Sequence, residues 1–337
     1  MRLKHLDILV CPRSKRPLTL GEPVVLEGSR IKEGVLLEPV TGQSYVITNF
    51  VPRFVPEENY DAQSFGIQWT IHGRTQYDEH SGFPISRRRF EDETKWGYNL
   101  QGEVVLEVGS GSGRFTTHAL ETGATVVSFD YSRAVEANYR SNGQSENLLL
   151  VQASVYEMPF RLDFFDKAFC FGVLQYTPDP RGAFSSIVKH VKPGGRIAAD
   201  IYAKTIRSWL LNTKYWVRPF INRKDPRALY DALRKYVDFM WPLARILRKV
   251  PRVGHTINWR LLVADYSAML PGASDQTLKE WAYLDTFDIL SPMYDNPATL
   301  KGFREWYQEA GLEEIDVRYG HNGVEGRGRK RRTDGVP

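Results

Sequence analysis

Glycines fall at Gly109, Gly111 and Gly113 within the stretch Val104 to Phe115 (VVLEVGSGSGRF), directly after a buried-strand pattern and directly before a helical one. Glycine tolerates positive φ and lets a ligand approach without a Cβ in the way, and a helix start presents free amide donors. A loop of this composition in this context cradles a ligand. The spacing discriminates among ligands: a dinucleotide fingerprint, G-x-G-x-x-G, needs glycine where this chain has Arg114. A nicotinamide dinucleotide is therefore disfavoured. The next apolar run, TVVSFD, ends in Asp130.

These residues resemble the first motif of the class I S-adenosylmethionine-dependent methyltransferases, an acidic residue followed by x-G-x-G-x-G, here Glu107, Gly109, Gly111 and Gly113. The resemblance implies that Asp130 takes the two ribose hydroxyls. It extends through LLLVQASVYEMPF, the third strand and the loop over adenine, through DKAFCFGVLQYTPDP, the fourth strand and its loop, and through HVKPGGRIAADIY, the turn into the fifth strand. The implied set for S-adenosyl-L-methionine is Glu107, Gly109, Ser110, Gly111, Gly113, Asp130, Tyr131, Ser154, Val155, Phe171 and Gly172. The family usually has an acidic residue where this chain has Ser154; serine still accepts a hydrogen bond from the adenine amino group, and the Val155 amide faces the ring.

Methyl transfer from a sulfonium is an in-line displacement, so alignment does much of the work. A base is needed only where the acceptor must lose a proton. Catalytic candidates are Gln175 and Tyr176, just past the fourth strand where ligands bind in such sheets, with His255, Asp288, Tyr294 and Asp295 in or just after a later insertion. SFGIQW (64–69) and DTFDILSPMYDNP (285–297) resemble segments of bacterial methyltransferases from surface-polysaccharide and natural-product gene clusters. That resemblance implies a small-molecule or saccharide acceptor, methylated on O or N. An RNA methyltransferase is the alternative enzyme, and a non-catalytic cofactor-binding or partner-stabilising subunit the alternative of another class.

Positioning these residues calls for a doubly wound, mostly parallel α/β sheet. Between Gln101 and Tyr202 apolar runs alternate with helical stretches (114–122, 134–141, 183–190), the signature of parallel strands with crossover helices. Around this core (101–202) the sequence divides into a small β-rich module (1–56), connecting helices (57–100), a helical lid or substrate insertion (203–285), a C-terminal helix and strand (286–320) and a basic tail (321–337). The module, from LDILVCPRSKRPL to EPVTGQSYVITNFVPRFV, resembles a zinc-ribbon-like methyltransferase-partner domain without its ligands. Cys11 is followed by Ser14, residues near Glu38 and Thr41 replace the second pair, and one cysteine does not hold zinc. No metal is expected, and the module is read as a scaffold or oligomer contact.

The 337 residues allow a sizeable core, and 42% apolar and 25% charged residues are those of an ordinary globular protein. No apolar run is long enough to span a bilayer, and the first residues lack a leader's pattern, so the expected compartment is the cytoplasm. Two cysteines, Cys11 and Cys170, cannot build a disulfide framework. The insertion carries Trp209, Trp216, Trp241 and Trp259, with apolar residues at helical spacing from Leu229 to Leu247, basic residues opposite and a kink expected at Pro242. It reads first as a packed lid and second as a membrane-surface helix. RGRKRR (327–332) reads as a solvated end with possible contact to RNA or anionic lipid.

Overall fold

In the computed structural model of the chain, which describes residues 1–56, 64–205 and 212–332, seven strands form one sheet. They are β5 (Val104–Val108), β6 (Thr125–Asp130), β7 (Leu148–Gln152), β8 (Phe165–Cys170), β9 (Val191–Ile201), β10 (Leu312–Gly320) and β11 (Gly323–Lys330). Their order is β10-β11-β9-β8-β5-β6-β7, parallel from β7 to β9 and antiparallel at β11. The expected doubly wound, mostly parallel sheet is therefore present. Its central strands are apolar on both faces: Val105, Leu106, Val126, Val127, Leu149 and Val151 are buried, as strands covered by helices on each side must be. Each such side chain contributes on the order of 1.5–3 kcal/mol relative to exposure.

The crossovers are α4 (Arg114–Glu121), α5 (Ala134–Asn142) and α6 (Pro180–His190), within a few residues of the helices expected. Preceding them are α1 (Ser64–Ile71), α2 (Asp78–Ser81) and α3 (Ile85–Thr94). After β9 come α7 (Lys214–Ile221), α8 (Pro226–Leu247), α9 (Gly254–Arg260) and α10 (Asp275–Leu290), which together form a helical cap. Pro242 lies inside α8, and Asp225 caps that helix by accepting from the Ala228 amide. Trp209, counted with the insertion, lies outside the described residues. The last cap helix runs to Leu290, five residues past the boundary expected at 285, because Phe287, Ile289 and Leu290 continue its buried face. Finally α11 (Leu300–Glu309) is capped by Thr299 and followed by Gly311 at φ 71°, a left-handed position that ends the helix.

The basic tail is a correction. Residues 323–330 are not a solvated end but strand β11, inserted between β9 and β10. Alternating glycines and arginines hid a strand whose small residues are required by packing: a Cβ at Gly326 would stand 2.7 Å from the Tyr307 ring. The charges are neutralised in place, Arg329 by Glu313 (2.7 Å), Lys330 by Asp163 (2.6 Å) and Arg327 by Asp316.

The N-terminal module is a four-stranded antiparallel sheet, β1 (Thr19–Glu27), β2 (Arg30–Leu37), β3 (Ser44–Thr48) and β4 (Val51–Pro52). It covers the β7 edge of the large sheet: Arg53 bridges Gln152 in parallel, and the Phe54 amide donates to the Gln152 carbonyl. The Arg53 guanidinium adds hydrogen bonds to Gln152 (2.7 Å) and Glu136 (3.2 Å). Ile8, Leu9, Leu18 and Ile31 share one core with Phe129, Leu149 and Phe160. The module thus supplies the partner that an open sheet edge needs. In its turns Glu38 accepts from the Val40 and Thr41 amides at 2.9 and 3.1 Å, and the Cys11 thiol lies 3.3 Å from the Tyr45 hydroxyl.

Candidate functional site

The glycine loop is set by β5, whose end is tied to β6 through the Gly109 and Ser110 amides, both donating to the Phe129 carbonyl. All three glycines have positive φ: 75° at Gly109, 51° at Gly111 and 93° at Gly113. Asp130, at the end of β6, accepts from the Gly111 amide (2.9 Å) through one oxygen and from the Ser132 amide (2.9 Å) and hydroxyl (2.8 Å) through the other. Burial pushes its carboxyl above the usual range against these hydrogen bonds. A cavity of about 910 Å³ opens over this loop.

Gly109, Ser110, Gly111, Asp130, Tyr131, Ser154, Val155, Phe171 and Gly172 all line that cavity, as do Tyr176, Asp288 and Tyr294. Four strand ends, with the helix Asp275–Leu290 and the segment after it, bring these together from five separate stretches of sequence. Five expected residues stand elsewhere. Glu107 is buried behind the loop, where it accepts from the Ser128 hydroxyl (2.7 Å) and from Thr116, and burial pushes its carboxyl up to about 7. Gly113 packs on α5, since a Cβ there would meet Asn138 Oδ1 at 2.2 Å. Gln175 turns inward within the 3-10 turn Leu174–Tyr176: it is wholly buried, and neither end of its amide has a partner among the described residues. His255 lies half-buried on α9, away from the cavity lining. Asp295, also away from the lining, is buried against Lys214 (2.9 Å) and Arg218 (2.7 Å), a fixed ion pair of the cap.

The other half of the cavity lies under the cap. Helix α10 presents Asp285 and Asp288, three residues apart and so on one face. Asp288 is held at both oxygens by close hydrogen bonds: the Tyr176 hydroxyl donates to one (2.7 Å) and Gln68 Nε2 to the other (3.0 Å), while Tyr176 also meets the Tyr202 hydroxyl (2.8 Å). Asp285 has the Tyr266 hydroxyl bonded to it and Gln76 Nε2 at longer range, 3.4 and 3.5 Å. Burial first, and the charge of Asp288 second, push the Asp285 carboxyl up to about 7. Burial holds Arg114, close by, down to about 10, which leaves it charged at neutral pH. Trp69 covers the glycine loop, its ring 3.2 Å from where a Gly111 Cβ would stand. Five buried polar atoms of lining residues lack partners among the described residues: Ser64 Oγ, the Gln68 Oε1 acceptor, the Trp281 Nε1 donor, Ser291 Oγ and Asn322 Nδ2.

Arg89 joins the two halves. From α3 its guanidinium pairs with Glu93 (2.7 Å) and Asp200, beneath the rings of Phe115 and Phe171. Asp200 in turn accepts from the Gly172 amide (2.6 Å), so the loop after β8 is held by the same carboxylate. Neither Arg89 nor Asp200 is among the site residues expected from the sequence. The signal was present in AAD (198–200), a carboxylate in an otherwise apolar strand, which requires a buried cation. Asp285, Arg114, Tyr202, Tyr266 and Trp281 were also missed, and no spacing in the chain links them.

Residues 106–199 match the family model described as a methyltransferase domain. A ubiquinone biosynthesis O-methyltransferase of Pseudomonas fluorescens is 31% identical over 148 residues, covering 41% of this chain and 60% of the relative. An O-methyltransferase of Aspergillus nomiae is 27% identical over 110 residues, covering 31% of this chain and 49% of the relative. The chain spans about half to 60% of the length of these curated relatives. A solved methyltransferase of Methanosarcina mazei aligns with 70% of this chain and 95% of its own at 12% identity, with a TM-score of 0.40.

Proposed function

We propose that this chain, which carries a class I methyltransferase domain, binds S-adenosyl-L-methionine along its glycine loop and methylates a hydroxyl of a small molecule or saccharide held beneath the cap. One observation carries the reading: a single cavity joins the Gly109–Gly111 turn and Asp130 to the buried carboxylates Asp285 and Asp288. The donor set suits the cofactor. Asp130 keeps lone pairs beyond its three hydrogen bonds for ribose hydroxyls, and Gly109 and Gly111 take the positive φ that turns the loop along the cavity wall.

When bound, S-adenosylmethionine supplies a methyl group on a positively charged sulfur that leaves as a neutral thioether. The chain's part is alignment and proton removal. Gln68 Oε1 and Trp281 Nε1 offer an unmet acceptor and an unmet donor that a hydroxylated ligand satisfies, and Trp69, Trp281 and Tyr202 offer faces for a sugar or aryl ring. As the acceptor oxygen bonds to the methyl carbon, its proton passes to an oxygen of Asp285. That carboxylate is poised near neutral pH, with the Tyr266 hydroxyl bonded to it and Gln76 Nε2 at longer range. Asp288, Tyr176 and Tyr202 act as a positioning group that keeps a second charge beside Asp285. The O-methyltransferase names of the relatives agree with a hydroxyl acceptor.

The test is transfer of a labelled methyl group to fractionated cell extract by the wild-type chain and by Gly111→Arg, whose side chain must displace Trp69 from the loop. Label is expected in a low-molecular-weight fraction with the wild type and absent with the variant. Equal transfer by both would remove the glycine loop from the reaction.

A further inference from the structure

The outward side of the cap is unlike the rest of the surface. Helix α8 buries one face, with Leu229, Tyr230, Val237, Trp241 and Ala244. It then shows a second apolar stripe to solvent: Phe239, Leu243 and Ile246, at i, i+4 and i+7, are 81%, 44% and 65% exposed. Val250 and Val253 continue the stripe beyond the helix, and on α7 Trp216 and Phe220 are 61% and 80% exposed. Scattered exposed apolar residues are ordinary, but a helix with its core face already filled has no folding use for a second stripe.

Charge is segregated onto the same element. Residues 212–260 hold twelve lysines and arginines against three aspartates, a net +9, while the whole chain carries +5, leaving the remainder at −4. Arg223, Lys224, Arg227, Lys235, Lys249 and Arg252 are all exposed. Two copies packed through this face about a two-fold axis would bring like charges together. Aliphatic Leu243, Ile246, Val250 and Val253 offer no stacking surface to bases, so a nucleic acid would stack on only part of this face, through Trp216, Phe220 and Phe239. Apolar side chains rimmed by cations fit one occupant well: a bilayer surface with anionic headgroups, where the stripe enters the acyl boundary and the basic residues meet the phosphates.

We propose that the α7–α9 face of the cap docks this protein on anionic lipid membranes. Arg223, Lys224 and Met293 are exposed and also line the cavity, so docking through neighbouring Phe220 sets part of the cavity rim at headgroup level. The proposal does not depend on methyl transfer, because binding is read without turnover.

The full chain is sedimented with vesicles of phosphatidylcholine alone and of equal parts phosphatidylcholine and phosphatidylglycerol, at low and raised salt. It is expected to pellet with the anionic vesicles, less so as salt rises, and to stay in solution with the neutral ones. Phe239→Ser with Ile246→Ser is expected to weaken partition by about tenfold or more, and Lys235→Ser with Lys249→Ser to remove much of the salt dependence. An unchanged thermal midpoint in both variants shows that the fold is intact. Absence from anionic pellets at low salt, or equal pelleting with neutral vesicles, would overturn the proposal. So would a dimer in solution that the serine pair dissolves while vesicle binding is nil, since the stripe would then belong to a second copy.

Discussion

The two halves of the cavity are built on opposite plans. The glycine-loop half is made of backbone and of side chains one or two residues from a strand end. Gly109, Gly111, Asp130, Ser154 and Gly172 each follow a strand of the parallel sheet, so the topology alone brings them together. The cap half is made of side chains gathered from α1, the start of α4, the ends of β8 and β9 and helix α10, with Gln68 and Asp288 meeting across 220 positions of sequence. A local motif can be read from a string of residues; a convergence of distant side chains cannot. On the proposed function, the first half holds the methyl donor and the second the acceptor.

The plans differ in how they fail, and the largest effect is expected where the loop is packed rather than where it binds. Gly113→Ala forces a Cβ onto Asn138 Oδ1 at 2.2 Å and a left-handed φ of 93° on a residue that resists it. It should cost about 2–5 kcal/mol of stability, read as a fall in the denaturant midpoint. A cost under about 1 kcal/mol would show that Asn138 yields and that Gly113 is not a packing residue. In the cap half, Asp285→Asn removes the base and leaves the fold. A drop in kcat of about a hundredfold, near 2.7 kcal/mol, is expected. The wild-type rate should rise with pH and level off above about 7, as the carboxyl held there by burial and Asp288 loses its proton. The variant should lose that limb.

Glu107 separates support from contact. Its folded carboxyl is pushed up to about 7 by burial, so between its ordinary range near 4 and that value the folded state holds a proton the unfolded chain releases. Its contribution to stability is present in acid and is lost as pH rises through 7. Glu107→Gln keeps the bonding shape without the charge and should gain on the wild type by about 3–4 kcal/mol between pH 4 and 8, seen in paired denaturation curves. Identical pH dependence would mean that Glu107 is charged in place. The smallest effect belongs to Gln175→Met, which removes a buried amide lacking partners and should change stability by no more than about 1 kcal/mol with activity retained. A large loss of kcat would return Gln175 to the reacting centre.

The donor half was legible because glycine spacing and a carboxylate at a strand end are contiguous signals, each with one physical meaning. Strand β11 was not, because its alternating Gly and Arg carry no apolar period and its partners Glu313, Asp316 and Asp163 lie on other segments. Gln175 misled by adjacency: the turn after β8 gives the cavity to Tyr176 and sends the preceding side chain into the core. Asp285 carried no sequence signal apart from its spacing to Asp288, since its role comes from burial and from hydrogen bonds that only the packed cap creates.

The division between the halves is tested most directly by calorimetric titration of S-adenosylmethionine into the wild type, Asp130→Ala and Asp285→Asn. Binding should weaken by tenfold or more, about 1.4 kcal/mol, in Asp130→Ala and stay within about twofold of wild type in Asp285→Asn. Equal affinity for the wild type and Asp130→Ala, or loss of binding in Asp285→Asn, would contradict a donor site built on the glycine loop.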